Sequence, residues 1–436
     1  MISPEALYAH FLRHPQVCTD TRKLSPGCLF FALKGESFDG NQFAGYALEQ
    51  GAAYAIVDDP AVCTSDRHLL VQDVLTTLQG LSTRHRRSFD IPVLAIGGSN
   101  GKTTTKELVS AVLSQRYACH STQGNFNNHI GVPLTLLAMP VGTEIAVIEM
   151  GTNHAGDIDL LCQIAEPTHG LLTNIGKEHL EGFGNLQGVK EAEGELYRHL
   201  ARTKGCAFVN LSEKYLKSMS RGVACRVGYA AGEEHPNNSK IEVKPLAFAP
   251  FVRASFVSDE GPVVELSTQL MGRHNFNNVM TAIALGIYFK VPGERIKAAL
   301  EAYTPSNNRS QLLRRGSNAI LLDAYNANPS SMKPALEALT HMQAQKRVAI
   351  LGDMRELGQD SHKEHLAMLR FAARLRLDAL VLVGEEFGRS PYQRYGALHF
   401  PDAAAAREWF RQQHFEHTAI LLKGSRGIRL EGVIAD

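Results

Sequence analysis

The chain has 436 residues, more than one hydrophobic core usually organises, so we expect two or three domains. Hydrophobic residues make up 44% of the chain and charged residues 20%, and the formal net charge is +1. This is the balance of an ordinary globular protein, and it lacks the basic excess that is typical of nucleic-acid binders. We therefore expect no nucleic-acid partner.

The cysteines and the N-terminus indicate in which cellular compartment the protein is expected. The seven cysteines are odd in number and scattered, and they form no CxxC pair, so reduced thiols in a cytosolic protein are the simplest interpretation. The N-terminus lacks a basic start and an apolar core, and no apolar run reaches the length of a membrane span. We expect a cytoplasmic protein without a membrane partner, and a monomer is the default state.

The first stretch of the chain predicts a small α/β domain. Short apolar strands at 28–33 and 54–57 flank a helical stretch at 42–50. The basic cluster RHRR at 84–87 belongs to a polar segment that ends at a proline, and we interpret it as a solvated linker. A new domain is expected after it.

The central stretch predicts a nucleotide-binding domain with a mostly parallel sheet. An apolar run at 91–96 predicts a buried strand, which is followed by glycines and by a helix at 104–115. Two further apolar strands, at 145–148 and 170–173, alternate with helices in the manner of parallel sheets.

Past residue 308 the alternation of strands and helices restarts. The predicted elements are a strand at 319–322, a helix at 330–339, a strand at 347–351, a helix at 361–375, a strand at 379–383 and a strand at 418–422. The fingerprint GxGxxG is missing, so this is a Rossmann-like unit without a dinucleotide motif. We predict three α/β domains, at residues 1–88, 89–308 and 309–436.

A phosphate-binding loop joins the first strand and helix of the central domain. It reads Gly98-Ser99-Asn100-Gly101-Lys102-Thr103-Thr104. Its backbone N–H groups can hold a polyphosphate, Lys102 supplies a positive charge, and the Thr103 hydroxyl can ligate magnesium. The loop has Ile96 where the general P-loop pattern has glycine. The strand–loop–helix context favours ATP binding over a chance GKT in a tight turn.

Two polar residues follow later strands of the same predicted sheet. Glu149 stands at the carboxyl edge of its strand, where open α/β sheets bind their ligands, and we interpret it as a magnesium ligand. The alternative is a capping or surface glutamate. His179 follows the third strand, but a lone histidine is more often structural than a ligand, so its position alone does not favour a metal role.

Two amide-rich segments, at 124–131 and 272–278, are interpreted as binding segments because asparagine side chains both donate and accept hydrogen bonds. Asn275 and Asn278 would share a helix face, and Asn125 and Asn128 are assigned to substrate. The alternative is that these asparagines and glycines only form turns.

Two histidines of the third domain, His362 and His365, lie at helix spacing but outside an HExxH pattern. We therefore expect them on a solvated helix face instead of in a zinc site.

Taken together, these segments resemble the Mur ligases, the ATP-dependent amide-forming enzymes of peptidoglycan precursor synthesis. The resemblance covers nearly the whole chain. It is carried by DTRK at 20–23, LKGESFDG at 33–40, GSNGKTTTK at 98–106, GNFNNHIGVP at 124–133, EMGTNHAGD at 149–157, GRHNFNN at 272–278, DAYNANP at 323–329, GDMRELG at 352–358 and LKGSRG at 422–427.

The resemblance implies roles for particular residues. ATP would be held by the phosphate loop together with Asn275, Asn278, Arg309 and Asp323. The magnesium ligands would be Thr103, Glu149 and His179. The uridine diphosphate end of the substrate would lie near Thr21, Arg22, Lys34 and Gly35, and the incoming dipeptide near Asn326, Asn328, Lys423 and Arg426.

The resemblance also implies a reaction. ATP would phosphorylate the terminal carboxylate of a UDP-N-acetylmuramoyl-tripeptide, and the amine of D-alanyl-D-alanine would attack the acyl phosphate, with domain closure excluding water. The alternatives are a sibling ligase that adds a single amino acid and a nucleotide-binding regulator without catalysis. The DAYNANP form favours the dipeptide substrate, and Lys102, Glu149 and His179 together favour catalysis.

One position departs from the family. Mur ligases generally carry a lysine that carbon dioxide carbamylates, and alignment on the following Gly-Glu-Leu-Tyr places Glu193 there. We predict that Glu193 is catalytic, as a built-in substitute for the carbamate. It is shorter by roughly 3 to 4 Å, so it needs a backbone shift or a bridging water. Lys190, one helical turn earlier, is the rival for carbamylation, and a solvated helix glutamate is the third alternative.

Overall fold

A computed structural model of the chain describes residues 1–232, 241–258 and 261–435. Three α/β units follow one another along the chain, each built around its own sheet, and this agrees with the predicted fold class. The domain borders placed at residues 88 and 308 fall between elements, and they stay predictions. Within the described ranges, no helix has the length and apolar character needed to cross a membrane.

The first unit is a small parallel sheet covered by helices. Its elements are α1 (Pro4–Arg13), β1 (Val17–Cys18), β2 (Leu29–Phe31), β3 (Lys34–Gly35), β4 (Phe38–Asp39), α2 (Ala44–Glu49), β5 (Tyr54–Val57), β6 (His68–Leu70) and α3 (Val74–Arg86). Strands β1, β2, β5 and β6 pair in that order, and β3 and β4 form a separate antiparallel pair. The apolar strands β2 and β5 lie where the sequence predicts them.

Most of the basic cluster at 84–87 belongs to a helix and is not the solvated linker that the sequence predicts. Helix α3 continues to Arg86, and the side chains of His85 and Arg86 are buried. The Arg86 guanidinium donates hydrogen bonds to the carbonyls of Ala165, Phe89 and Glu166 at 2.9 to 3.2 Å. The prediction was wrong because two of these acceptors lie about 80 positions away, where no local pattern reveals them.

The central unit is the largest. Its elements are β7 (Val93–Gly97), α4 (Lys102–Leu113), β8 (Cys119–Ser121), α5 (Gly131–Leu137), β9 (Ile145–Glu149), α6 (Asp157–Ala165), β10 (His169–Leu172), α7 (Leu180–Phe183), α8 (Leu186–Glu193), α9 (Glu195–Thr203), β11 (Cys206–Asn210), α10 (Leu216–Met219), β12 (Cys225–Ala231), β13 (Ile241–Ala247), β14 (Arg253–Val257), β15 (Val263–Ser267), α11 (Arg273–Tyr288) and α12 (Gly293–Ala302).

In the described residues, the central sheet has nine strands in the order β15-β14-β13-β12-β11-β10-β7-β9-β8. They are parallel from β8 to β13, and β13 to β15 are antiparallel. Strands β7 and β9 are buried along their whole length, as expected for apolar strands with helices on both faces. Helices α4, α11 and α12 pack on one face, and α5, α6, α8 and α9 on the other.

Two cysteines of this sheet are bonded to each other. Cys206 and Cys225 face each other in the parallel pair β11 and β12 and form a disulfide. The prediction of reduced thiols is therefore wrong for this pair, whereas the other five cysteines are free. The register of two neighbouring strands brings the two cysteines together. Their separation of 19 residues in the sequence gives no sign of this pairing.

The third unit is the predicted doubly wound domain. Its elements are β16 (Gln311–Arg315), β17 (Asn318–Leu322), α13 (Pro329–Thr340), β18 (Lys346–Gly352), α14 (Ser361–Ala372), β19 (Ala379–Val383), α15 (Glu385–Gly388), β20 (Leu398–Phe400), α16 (Ala403–Gln412) and β21 (Thr418–Lys423). The sheet order is β16-β17-β21-β18-β19-β20; β16 is antiparallel to β17, and the other described pairs of neighbours are parallel.

His362 is exposed as predicted, but His365 is not on a solvated face. Its Nε2 accepts a hydrogen bond from the Met354 N–H at 3.0 Å, and it is fully buried. The loop that follows β18 covers this side of α14, and helix spacing alone does not reveal that contact.

Candidate active site

A cavity of about 930 Å³ lies where the central unit meets the third unit. The loops that follow β7, β9 and β10 form one wall, and residues after β17 together with the last residue of β21 form another, so the carboxyl ends of both sheets face the cavity. The predicted site residues among its lining are Ser99, Asn100, Gly101, Lys102, Thr103, Thr104, Asn125, Asn128, Glu149, His179, Asn275, Asn278, Arg309, Asp323, Asn326, Asn328 and Lys423.

The phosphate loop needs its glycines for steric reasons. Gly98 and Gly101 have φ of +109° and +80°, in the region that favours glycine. A Cβ on Gly98 would collide with Thr173, and a Cβ on Gly101 would lie 2.7 Å from Oδ1 of Asn278. The loop can therefore lie tightly between β10 and α11 only because these positions carry no side chain.

Lys102 is the first residue of α4, and its side chain turns back over the loop. Its ammonium donates a hydrogen bond to the carbonyl of Gly98, and Oε2 of Glu178 lies 3.7 Å from its Nζ. Burial lowers the pKa of Lys102, but the carboxylates of Glu178, Glu193 and Glu149 outweigh burial and raise it above the ordinary value. The lysine therefore stays charged inside the cavity.

Glu149 ends β9 inside the cavity, in the position predicted for it. It is 1% exposed, and its Oε1 accepts hydrogen bonds from Thr103 Oγ1 at 3.0 Å and Asn127 Nδ2 at 2.8 Å. Its Oε2 is buried and has no hydrogen-bond partner among the residues that the structure describes. A buried carboxylate oxygen without a partner, next to a hydroxyl, fits a hard cation such as magnesium.

Among the described residues, no three His, Cys, Asp or Glu side chains gather closely enough to form a metal cage by themselves. Magnesium normally keeps waters and shares phosphate oxygens instead of using an all-protein cage. The donor set at Thr103 and Glu149 therefore fits magnesium that arrives with a nucleotide.

His179 connects the central unit to the third unit. Its φ of +42° is in the left-handed region, and its Nδ1 lies 2.8 Å from Oε2 of Glu356. Nearby, the N–H of Lys177 donates to Ser330 Oγ at 2.9 Å, and Lys177 pairs with Glu364. The loop that carries His179 is thus fixed by side chains of the other domain, and Nε2 is the ring nitrogen left for a ligand.

Asn275 and Asn278 share one face of α11, as predicted. Asn278 Nδ2 donates to Asn275 Oδ1 at 3.1 Å, and Asn278 Oδ1 accepts from the Thr105 hydroxyl at 3.1 Å. Both amides are buried beside the phosphate loop. Their contact with the nucleotide base stays a prediction.

The third unit brings both charges and an aromatic ring to the cavity. Lys423 is 3% exposed, and its Nζ lies 2.7 Å from Oδ2 of Asp323. The guanidinium carbon of Arg309 lies 3.6 Å from the ring centroid of Tyr325, and that of Arg426 lies 5.2 Å from it. Tyr325 therefore holds two of the predicted binding residues in one place.

A direct hydrogen bond joins this unit to the phosphate loop. The amide Nδ2 of Asn328 donates to Oδ1 of Asn100 at 2.9 Å. Asn328 also caps α13, since its Oδ1 accepts from the N–H of Ser331 at 2.9 Å. One residue of the DAYNANP segment thus couples the start of a helix to the opposite wall of the site.

Glu193 lies behind the loop and is fully buried. Its Oε2 accepts a hydrogen bond from the Gly98 N–H at 2.7 Å, and its Oε1 has no hydrogen-bond partner within the described part of the chain. Burial raises the pKa of Glu193 to about 7. The rival Lys190 has its ammonium 3.8 Å from the ring centroid of Tyr215. This placement excludes a solvated helix glutamate, and the role as a carbamate substitute stays a prediction.

The predicted residues of the first unit lie apart from this cavity. Arg22 is exposed and pairs with Asp20 at 2.8 Å, and Lys34 pairs with Asp58 at 2.8 Å. Of the described residues, those lining the cavity do not include Thr21, Arg22, Lys34, Gly35, Gly98, Glu193 or Arg426. The site near the phosphate loop is thus assembled without the residues that were assigned to uridine diphosphate.

Sequence reasoning missed several residues of the site, and Asn127, Glu178 and Glu356 are three of them. Asn127 holds the Glu149 carboxylate, Glu178 lies beside Lys102, and Glu356 contacts His179. Asn127 and Glu356 belong to segments that carried the family resemblance, so the motif was visible and the individual role was not. Glu178 immediately precedes His179, and its burial has no signal in the sequence.

Three family models match the chain: the Mur ligase family, catalytic domain at residues 15–84, the Mur ligase middle domain at 96–286, and the Mur ligase, glutamate ligase domain at 308–426. A Bacillus subtilis (strain 168) protein named UDP-N-acetylmuramoyl-tripeptide–D-alanyl-D-alanine ligase is 34% identical over 433 residues. The match covers 96% of this chain and 92% of that protein.

Solved structures agree. MurF from Acinetobacter baumannii matches with a TM-score of 0.87 and 30% identity, covering 97% of this chain and 92% of that one. MurF ligase from Thermotoga maritima in complex with ADP matches with a TM-score of 0.83 and 25% identity, covering 96% of both chains. The chain therefore belongs to the Mur ligase family, whose members are ATP-dependent ligases that form amide bonds.

Proposed function

We propose that this chain joins D-alanyl-D-alanine to UDP-N-acetylmuramoyl-tripeptide, using ATP and magnesium, as a cytoplasmic monomer of peptidoglycan precursor synthesis. One observation carries the proposal: the phosphate loop faces the DAYNANP segment across a single cavity, where Asn328 bonds Asn100. The names of relatives that match nearly the full chain support the same substrates.

The reaction proceeds in two steps because a carboxylate is a poor electrophile. The tripeptide carboxylate attacks the γ-phosphorus of ATP, a new O–P bond forms, and the bond from phosphorus to the ADP oxygen breaks. The amine of D-alanyl-D-alanine then attacks the carbonyl carbon of the acyl phosphate. A C–N bond forms, phosphate leaves with the C–O bonding electrons, and the amine loses a proton.

The residues of the cavity have distinct tasks in these steps. Lys102 and Arg309 place positive charge beside the phosphates, and the α4 N-terminus offers backbone N–H groups. Magnesium would be held by Thr103, Glu149 and His179, and when bound it would neutralise charge on the phosphoryl oxygens. The third unit covers the loop and keeps water from the acyl phosphate.

The test is ligation by the purified chain. Phosphate release from ATP should require both UDP-N-acetylmuramoyl-tripeptide and D-alanyl-D-alanine, and mass spectrometry should find the pentapeptide product. Ligation of a single amino acid instead would favour the sibling ligase. ADP release that needs neither acceptor would overturn the proposal.

A further inference from the structure

Glu213 lines the active-site cavity, and the proposed function gives it no task. It is half-buried and lies in the segment that follows β11. Among the described residues, none forms an ion pair or a hydrogen bond with its carboxylate. Burial raises the pKa of Glu213, and no neighbouring cation offsets that effect. A carboxylate in this position is available to a ligand in the cavity.

The backbone that carries Glu213 is held in place by hydrogen bonds. The N–H of Ser212 donates to Oδ1 of Asn210 at 3.0 Å, and the N–H of Glu213 donates to the carbonyl of Asn210 at 3.3 Å. The N–H of Leu211 donates to the carbonyl of Tyr229 on the neighbouring strand β12 at 2.9 Å. The segment therefore presents Glu213 to the cavity from a defined backbone position.

Helix α11 leads from the phosphate loop towards Glu213. Asn278 of this helix is so close to the loop that a Cβ on Gly101 would lie 2.7 Å from its Oδ1. About one turn further along the helix, Thr281 Oγ1 lies 2.9 Å from the hydroxyl of Tyr229. Burial raises the pKa of Tyr229, and the nearby Glu213 carboxylate raises it further. The phosphate loop and Glu213 thus lie near successive turns of one helix.

The strand order gives the distance between these two features. The phosphate loop follows β7 and Glu213 follows β11, and β10 lies between these two strands. Neighbouring strands are about 4.8 Å apart, so the ends of β7 and β11 are separated by about 10 Å. The phosphates of ATP occupy the loop, and the ribose, which is joined to them, stays near it. The base is the part of the nucleotide that extends far enough to meet Glu213.

The chemistry of a carboxylate restricts the group of the base that it can bind. An ionised carboxylate only accepts hydrogen bonds, and the exocyclic amine of adenine is a donor. Asn278 Nδ2 donates to Asn275 Oδ1, so these two amides are already bonded to each other. We propose that Glu213 accepts a hydrogen bond from the exocyclic amine of adenine and thereby selects ATP over nucleotides with an oxygen at that position. The inference rests on the proposed function, because it takes the phosphate loop as the ATP site.

The experiment compares the binding of three nucleotides by calorimetric titration. Inosine diphosphate has an oxygen where ADP has the amine, and 2′-deoxy-ADP lacks one ribose hydroxyl. The parent chain should bind ADP about ten-fold or more tightly than inosine diphosphate, the usual order for a hydrogen bond to a charged group. In Glu213→Gln the side-chain amide can accept from the amine or donate to the oxygen, so this preference should fall to about two-fold or less. The ratio of the affinities for ADP and 2′-deoxy-ADP should not change.

Glu191→Gln is the matched control. Glu191 is exposed on α8, outside the cavity lining, and accepts a hydrogen bond from Gln187 Nε2 at 2.9 Å. The adjacent Lys190 lies over the ring of Tyr215, two residues after Glu213, so the control removes the same charge from a neighbouring helix. The preference for ADP should be unchanged in this variant.

Glu213→Ala is the second variant. It removes the acceptor and adds no donor, so it should weaken ADP binding by about ten-fold or more. It should weaken the binding of 2′-deoxy-ADP by the same factor.

Equal affinities of the parent chain for ADP and inosine diphosphate would overturn the inference. An unchanged preference in Glu213→Gln would also overturn it, as would unchanged ADP binding in Glu213→Ala if the first variant does not fold. A changed ratio for 2′-deoxy-ADP alone would assign Glu213 to the ribose, and an equal effect of Glu191→Gln would assign the change to charge; either result contradicts the inference. Failure of the parent chain to bind ADP at all would count instead against the ATP site of the proposed function.

Discussion

The carboxylate of Glu193 accepts a hydrogen bond from the backbone N–H of Gly98 at 2.7 Å, so the end of α8 holds the first residue of the phosphate loop. A Cβ on the preceding Gly97 would lie 2.8 Å from the same oxygen, so this approach depends on a glycine there as well. The other oxygen of Glu193 is buried, and none of the described residues forms a hydrogen bond with it. One oxygen of Glu193 thus holds the loop, and the other can still accept a hydrogen bond.

We predict that ligation by the parent chain does not depend on carbon dioxide. Glu193 is already a carboxylate, and Lys190 is held at the ring of Tyr215. Activity should be the same in buffer stripped of bicarbonate and in buffer that contains it. Glu193→Lys should lose most activity in stripped buffer and regain part of it with bicarbonate. A large loss in the parent chain that bicarbonate restores would contradict this prediction and favour Lys190.

Lys102→Met should lower kcat by about 100- to 1000-fold, the range for removing one preorganised group that stabilises developing charge. Lys106→Met is the control, because Lys106 lies one turn further along α4 and donates to the carbonyl of Thr122 at 2.8 Å. It should lower the melting temperature and change kcat little. Equal losses of kcat in both variants would mean that α4 is only sensitive to substitution.

Asn328 has two roles that substitutions can separate. Asn328→Asp keeps the helix cap but loses the amide that donates to Asn100, so kcat/KM should fall about ten-fold while stability is retained. Asn328→Ala should show the same fall and lose about 1 kcal/mol of unfolding free energy in addition. Steady-state kinetics and urea unfolding measure the two effects. Full activity of Asn328→Asp would show that the contact with Asn100 is dispensable.

The buried arginine at the end of α3 should matter for stability. Arg86→Ala removes three hydrogen bonds to carbonyls and should lower the free energy of unfolding by about 2 to 3 kcal/mol. Arg87→Ala removes an exposed ion pair with Glu166 and should cost less than about 1 kcal/mol. Urea titrations of the two variants give the comparison, and equal midpoints would refute it.

The sequence predicted the parts of the fold that local patterns control. Continuous apolar runs located β9 and β19, and the GKT loop located the start of α4. Strands β13 to β15 were not predicted, because each mixes buried and exposed residues and lacks the continuous apolar run that located the other strands; β15 alternates, but its exposed Val263 hides the alternation in the sequence. The family motifs contain most of the predicted residues that line the cavity, because each motif is a short continuous segment that can be recognised without knowing the fold.

Contacts between distant residues were not predictable in this way. Asn100 and Asn328 are separated by 228 positions, and His179 meets Glu356 across two domains. The pairing of Cys206 with Cys225 depends on the register of two strands. Each of these contacts depends on how whole helices, strands and loops pack together. Residue spacing within one segment carries no information about that packing.

The hydrogen bond between Asn100 and Asn328 also suggests a route to inhibitors. A small molecule wedged between these two amides would separate the third unit from the phosphate loop and would occupy part of the cavity proposed for ATP. Its potency should therefore fall as the ATP concentration rises. Saturation kinetics at several compound concentrations would reveal such a compound by a raised KM for ATP and an unchanged maximal rate.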